Sequence, residues 1–161
     1  MAKATIRMIL SVLMVLAATN SVLGNTRVIE EVLGGDIVRI GETFVARLTG
    51  LEAPPRNEIL GYRIYDFTKR ELEGKLVKIF TWTTDNTASG IVYDENGYPF
   101  VQIYYGKGLS VSFNEVLLRK GYAKVDRKHL PDDLEHYVEL ENEARENGLG
   151  IWEKKEMQVV E

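Results

Sequence analysis

The chain has 161 residues, with 20 Lys and Arg against 24 Asp and Glu, a formal net charge of −4. Its 45% hydrophobic and 27% charged residues suit one soluble globular domain, long enough to bury a core without staples. It has no cysteine, which excludes disulfide frameworks, thiolate metal sites, cysteine nucleophiles and a lipid-anchored N-terminal cysteine. The acidic balance gives no general attraction for nucleic acid, so such binding needs a local basic patch.

In residues 1–24 the only charged side chains are Lys3 and Arg7, and the apolar run MILSVLMVLAA follows them. A basic start, a short apolar run and the small residues Ser21 and Gly24 predict a secretory signal peptide over 1–24, cleaved near Val22-Leu23-Gly24. The run is shorter than the ~20 residues of a spanning helix. The expectation is therefore an exported protein, secreted or periplasmic, with no membrane span after cleavage rather than an uncleaved anchor. Loss of Lys3 and Arg7 leaves 18 of the 20 basic residues against 24 acidic ones, a net charge of −6. Residues 25–161 read as one domain, without a Pro/Gly/Ser linker, a low-complexity tract or an internal repeat.

Strands are expected over Thr26–Leu33, Asp36–Ile40 and Thr43–Leu51, punctuated by Gly34-Gly35 and Gly41-Glu42 and stopped by Pro54-Pro55. Tyr62–Glu73 has helical spacing and Gly74 after it. Leu76–Trp82, Gly90–Tyr93 and Tyr98–Tyr105 read as further strands, the last two joined by the hairpin turn Asp94-Glu95-Asn96-Gly97. Ser112-Phe113-Asn114-Glu115 fits a capping box before a helix that Gly121 stops. Pro131 suits the first turn of a last helix ending at Gly148, and Trp152 is expected to dock the C-terminus onto the body. Strands, a helix, more strands and two helices pack naturally as a small antiparallel barrel carrying helices.

Several stretches resemble the staphylococcal-nuclease (thermonuclease) family, in the expected order over residues 27–153. Gly34-Gly35-Asp36-Ile37 corresponds to its D-G-D-T turn, and Ala46-Arg47-Leu48-Thr49-Gly50-Leu51-Glu52-Ala53-Pro54-Pro55 to its V-R-L-x-G-I-D-A-P-E stretch. Asn114–Val125 is similar to its N-E-x-L helix and following strand, and Gly148-Leu149-Gly150-Ile151-Trp152 to its closing G-L-G-I-W. The resemblance implies an α+β, mainly β fold: a five-stranded OB-type barrel with about three helices. It also implies Ca²⁺-dependent phosphodiester hydrolysis.

That chemistry needs hard oxygen donors for the cation, a carboxylate to activate water, and preorganised cations for the phosphate oxygens. By the resemblance Asp36, Glu52 and the Ala53 carbonyl are the metal ligands, Glu52 being one methylene longer than the family's Asp. Arg47 is the first phosphate-binding arginine. The position of the water-activating glutamate holds Pro55, and the second arginine's position is matched to Ser89, a neutral hydroxyl. The aromatic pair that stacks on a base falls at Arg127 and His129. Glu58 is the candidate substitute base, and Arg56 and Arg63 the candidate substitute phosphate binders; the bland alternative makes all three solvated loop charges. Arg47 itself either binds an anion or forms an ion pair with Asp36 or Glu52. His129 and His136 lack a metal-ligand spacing and read as surface histidines. Tyr62, Tyr65, Tyr104 and Tyr105 read as packing aromatics or as stacking platforms for bases.

Three functions follow. The first is an exported, monomeric, catalytically degenerate nuclease-like domain that binds a nucleotide, single-stranded nucleic acid, another polyanion or a protein, with Ca²⁺ binding weak or lost. The second is a divergent metal-dependent nuclease. The third is a structural or interaction protein with no ligand in the cleft.

Overall fold

A computed structural model describes residues 26–85 and 88–153; the leader expected over 1–24 lies outside them. Three strands open the fold as an antiparallel meander: β1 (Thr26–Val32), β2 (Ile37–Ile40) and β3 (Phe44–Leu48). Alternation turns Ile29, Val38, Ile40, Ala46 and Leu48 inward, where they are buried. After a two-residue β4 (Leu51–Glu52) come helix α1 (Ile59–Leu72), β5 (Leu76–Thr81) and β6 (Phe100–Tyr105). Strand β5 pairs antiparallel with both β1 and β6, and β6 pairs with β3, so five strands close into a barrel.

The closing pair is parallel, with Arg47 opposite Phe100 and Leu48 opposite Val101, which corrects the expectation of a purely antiparallel barrel. The reason is parity. Alternating directions cannot close a ring with an odd number of strands, so one neighbouring pair must run the same way.

Two expected strands change. Thr43–Leu51 is interrupted at Thr49-Gly50, where Gly50 takes φ +72°, and β4 leaves the barrel to pair with β8 (Lys124–Val125). Gly90–Tyr93 forms only isolated bridges, Thr83 to Ile91 and Tyr93 to Pro99, because Gly90 turns the chain at φ +69°. The Asn96-Gly97 turn forms as expected, with the Gly97 amide donating to the Asp94 carbonyl.

Helix α1 starts earlier than its spacing suggested, directly after the Pro54-Pro55 turn, with the Glu58 amide donating to the Pro55 carbonyl at 3.0 Å. Gly61, Ile64, Tyr65, Thr68 and Leu72 form its buried face at helical spacing. Gly61 is the close approach: an added methyl there would strike the Pro55 carbonyl oxygen. β7 (Val111–Ser112) leads into α2 (Phe113–Arg119), whose first turn is capped by Ser112 Oγ accepting from the Glu115 amide at 3.3 Å. Only half of the expected box forms, since the Glu115 carboxylate turns to Arg119 and His136 instead.

Asn114, fully buried, joins α2 to the barrel wall. Its Oδ1 accepts from the Ile103 amide at 3.1 Å, and its Nδ2 donates to the Thr49 and Val101 carbonyls at 3.1 and 3.3 Å. Pro131 precedes a separate 3₁₀ turn, Asp132–Leu134, rather than opening α3 (Tyr137–Glu146). Two 3₁₀ turns matter below, Arg127–His129 and Gly150–Trp152. In the second, the Ile151 amide donates to the Gly121 carbonyl at 2.8 Å and Arg145 lies 4.3 Å over the Trp152 ring, which docks the C-terminal turn as expected.

Candidate functional site

The site grows from one strand register. Arg47 faces outward on β3 between buried Ala46 and Leu48, and its side chain is 17% exposed. Its neighbours are the loop before β2 and the turn before β6. The first loop carries Asp36. The Asp36 carbonyl accepts from the Leu48 amide at 2.8 Å, and Thr68 of α1 donates to the Gly35 carbonyl at 2.9 Å. Gly35 lies so close to Ala53 and Ile64 that a methyl there would sit 2.7 Å from the Ala53 Cβ. The Asp36 carboxylate is thereby set against Arg47, with Oδ2 3.1 Å from Nε.

The second loop brings a partner that the resemblance did not point to. Asp94 closes its own turn, with Oδ1 accepting from the amides of Asn96 and Tyr98 at 2.9 and 2.8 Å. Its other oxygen lies 3.6 Å from Arg47 Nη1, and the Glu95 carboxylate lies 3.8 Å from the same nitrogen. Arg47 is therefore caged by Asp36, Asp94 and Glu95. Asp94 and Glu95 read in the sequence only as hairpin residues. The signal for Asp94 was its Asx spacing ahead of Asn96-Gly97, which marks a turn but not what the turn faces.

Burial pushes the Asp36 carboxyl above its usual pKa, while Arg47 and the Ala53 amide pull it back down. Burial also opposes charge on Arg47, but Asp36, Asp94 and Glu52 outweigh it and raise the guanidinium's pKa. Arg47 is permanently charged, and its charge is answered from inside the protein.

Glu52 and Ala53 thus stand beside the Arg47 cluster, and the remaining expected site residues lie apart from it. Glu52, Ala53 and Glu58 line one cleft of about 370 Å³, with Pro55, Leu60 and Lys124 completing its walls. Arg56 lies over the Tyr65 ring at 3.8 Å, and Arg63 is exposed on α1. Ser89 is exposed and exchanges local hydrogen bonds with Ile91. The strand beside Arg47 begins only at Phe100, and the Arg47 amide donates to the Pro99 carbonyl at 3.0 Å. The segment leading into that strand is thus Gly97-Tyr98-Pro99, which puts Tyr98, not Ser89, at the place matched to a second arginine. Neither carries a charge.

Arg127 lies 3.5 Å from Glu141, and His129 stacks on Phe100 at 4.8 Å with Nδ1 2.7 Å from Asp126. His136 sits 3.4 Å from Glu115, so the two histidines face different carboxylates. Ca²⁺ takes about six to eight oxygen ligands. Among the described residues no group of three or more His, Asp or Glu side chains is placed to hold a metal ion. Asp36 is buried, paired with Arg47, and accepts from the Ala53 amide.

A five-stranded mixed barrel with three helices and an arginine on its third strand defines a nuclease-type OB fold. The family model of staphylococcal nuclease homologues matches residues 46–154, and the chain belongs to that family. It is also similar to the uncharacterized protein MJ1439 of Methanocaldococcus jannaschii, 29% identical over 150 residues, covering 76% of this chain and 69% of that protein. No helix among the described residues is long and apolar enough to cross a membrane.

Proposed function

We propose that this chain is an exported, non-catalytic member of the nuclease family that acts by binding, and that Arg47 serves as a structural cation rather than a phosphate clamp. The observation that supports this reading is the cage itself: Asp36, Asp94 and Glu95 stand around one guanidinium, so a phosphate arriving there meets net negative charge. Pro55 has no proton acceptor where the family's water-activating glutamate stands, and Tyr98 or Ser89 has no cation for the second phosphate contact. Loss of a general base commonly costs about 10²–10⁴ in rate. Loss of one preorganised donor costs about 10²–10³.

The competing reading, residual metal-dependent hydrolysis with Glu58 as base, has one observation in its favour, the shared cleft of Glu52, Ala53 and Glu58. Against it, the candidate substitute arginine Arg56 is stacked on Tyr65. Incubation of the protein at high concentration with single-stranded DNA or RNA, with Ca²⁺ or Mn²⁺, separates the two. The binding reading expects no cleavage above buffer. Cleavage that disappears in Arg47→Ala or Glu58→Gln overturns it.

A further inference from the structure

On the outer face of β5 and β6 lies a groove of about 410 Å³, within the roughly 300–1,000 Å³ of small-ligand sites, and it shares no lining residue with the Arg47 cage. Its floor follows from register. Phe80 lies opposite Gln102 and Lys78 opposite Tyr104, with Ile79 and Ile103 between them turned into the core, so the outward set combines aromatic rings and an amide with the Lys78 ammonium. Trp82 continues the row, and Pro131 and Asp133, from the loop before α3, line it as well.

The rings are braced. Phe80 meets Tyr104 edge-to-face at 5.5 Å, and Trp82 leans on Phe100 at 5.9 Å, which is itself stacked on His129. Lys78 Nζ lies 4.8 Å from the Phe80 ring centroid, yet Phe80 is still 40% exposed, which leaves part of the ring for a ligand to cover. The Tyr104 hydroxyl donates to Gln102 Oε1 at 3.3 Å, which orients the amide and leaves its NH₂ to donate outward. Of the lining residues only Asp133 is charged, and it is an acid.

We propose that this groove binds a neutral oligosaccharide, whose ring faces stack on Phe80, Trp82 and Tyr104 while its hydroxyls bond to Gln102 and Asp133. OB-type barrels take oligonucleotides and oligosaccharides alike on the face of their second and third strands; this groove lies instead on β5 and β6, the fourth and fifth strands of the barrel. Bases and sugars both stack on aromatic rings, so charge decides between them. A strand of nucleic acid calls for a basic track along its backbone. Here one lysine, Lys78 against Phe80, makes no track, the charge in the lining itself is a carboxylate, and the whole chain carries −4. A hydroxyl-rich neutral ligand meets no repulsion and finds in Asp133 an acceptor.

The assignment names the ligand class for the binding reading above and rests on it, yet the two fail separately: nuclease activity overturns that reading without touching the groove, and absence of sugar binding leaves the nuclease result standing. The test is titration of the full chain with cellohexaose, chitohexaose and maltohexaose, read by calorimetry and by the fluorescence of Trp82 in a Trp152→Phe background. An oligothymidylate serves as the charged comparator. The expected result is saturable binding of at least one sugar, insensitive to salt, weakened about tenfold or more by Trp82→Ala and restored in part by Trp82→Phe. Gln102→Ala, on the surface, should weaken binding at an unchanged melting temperature, which separates lost contacts from lost fold. Absence of sugar binding, binding indifferent to both alanine variants, or a salt-sensitive preference for oligothymidylate overturns the proposal.

Discussion

At Arg47 one guanidinium stands among three carboxylates; at Glu141 one carboxylate stands between two guanidinium groups. Glu141, on α3, accepts from the Val125 amide at 2.8 Å and lies 3.5 and 3.3 Å from Arg127 and Arg145. The clusters mirror each other in sign but not in burial. At Glu141 the central side chain is 5% exposed, while its arginines are 61% and 51% exposed. At Arg47 two of the partners, Asp36 and Asp94, are buried more deeply than the arginine they surround. Removing an outer arginine from Glu141 leaves the other arginine and an amide in place. Removing Arg47 leaves two buried carboxylates with amide donors but without their cation. The same pair of chemical groups is therefore exchangeable surface wiring in one cluster and a structural necessity in the other.

The largest expected effect is consequently that of Arg47→Ala, a loss of about 3 kcal/mol of unfolding free energy, since breaking a buried pair leaves uncompensated charge. Chemical denaturation measures it, and a loss below that of Arg145→Ala would break the comparison. Asn114→Ala provides a neutral reference. It removes the side-chain partner of the Ile103 amide and of the Thr49 carbonyl, while the Val101 carbonyl keeps the Thr49 amide at 2.9 Å, and should cost about 2 kcal/mol through groups left without partners. Asp36→Asn should cost less than Arg47→Ala, because burial already raises the Asp36 pKa and Arg47 keeps Asp94 and Glu95. Smallest of all, Arg127→Ala should stay within about 0.5 kcal/mol, as for an exposed cation, with Arg145→Ala somewhat above it through the lost contact with Trp152.

The pH dependence sharpens the contrast. A folded carboxyl with a raised pKa favours the fold at low pH, and that contribution is lost as pH rises through the folded value. Removing Arg47 removes one of the influences that pull Asp36 back down, so its folded pKa rises further. The deficit of Arg47→Ala should shrink as pH falls through the Asp36 range, down to the share that Arg47 owes to its other contacts. Denaturation curves across the acidic range read this directly, and a deficit independent of pH contradicts the assignment of Asp36 as the stranded group.

Much of the barrel was legible because its cues are local. β-Branched residues marked β1, alternation marked β3, and Ser112 and Gly121 bracketed α2. The parallel closure of β3 on β6 was not legible, since it depends on strand parity and not on any segment's pattern. The split at Thr49-Gly50 depends on β4 finding β8 more than seventy residues later. At the site, Arg47 was legible through the family resemblance, which left its ion-pair partner open between Asp36 and Glu52. Asp94 and Glu95 were not, because their turn chemistry satisfies a local rule completely and gives no sign of a tertiary role. The misplacement at Ser89 has the same origin: Gly90–Tyr93 looked like a strand, and the strand that passes Arg47 starts ten residues later.

The most direct test of Arg47 as a structural cation is a single assay of single-stranded DNA and RNA hydrolysis, with Ca²⁺ present, by the purified protein and by Arg47→Ala at the same high concentration. The account predicts no cleavage above buffer from either, with the variant distinguished only by its lower unfolding free energy. Cleavage by the unmodified protein that disappears in a still-folded Arg47→Ala would contradict it.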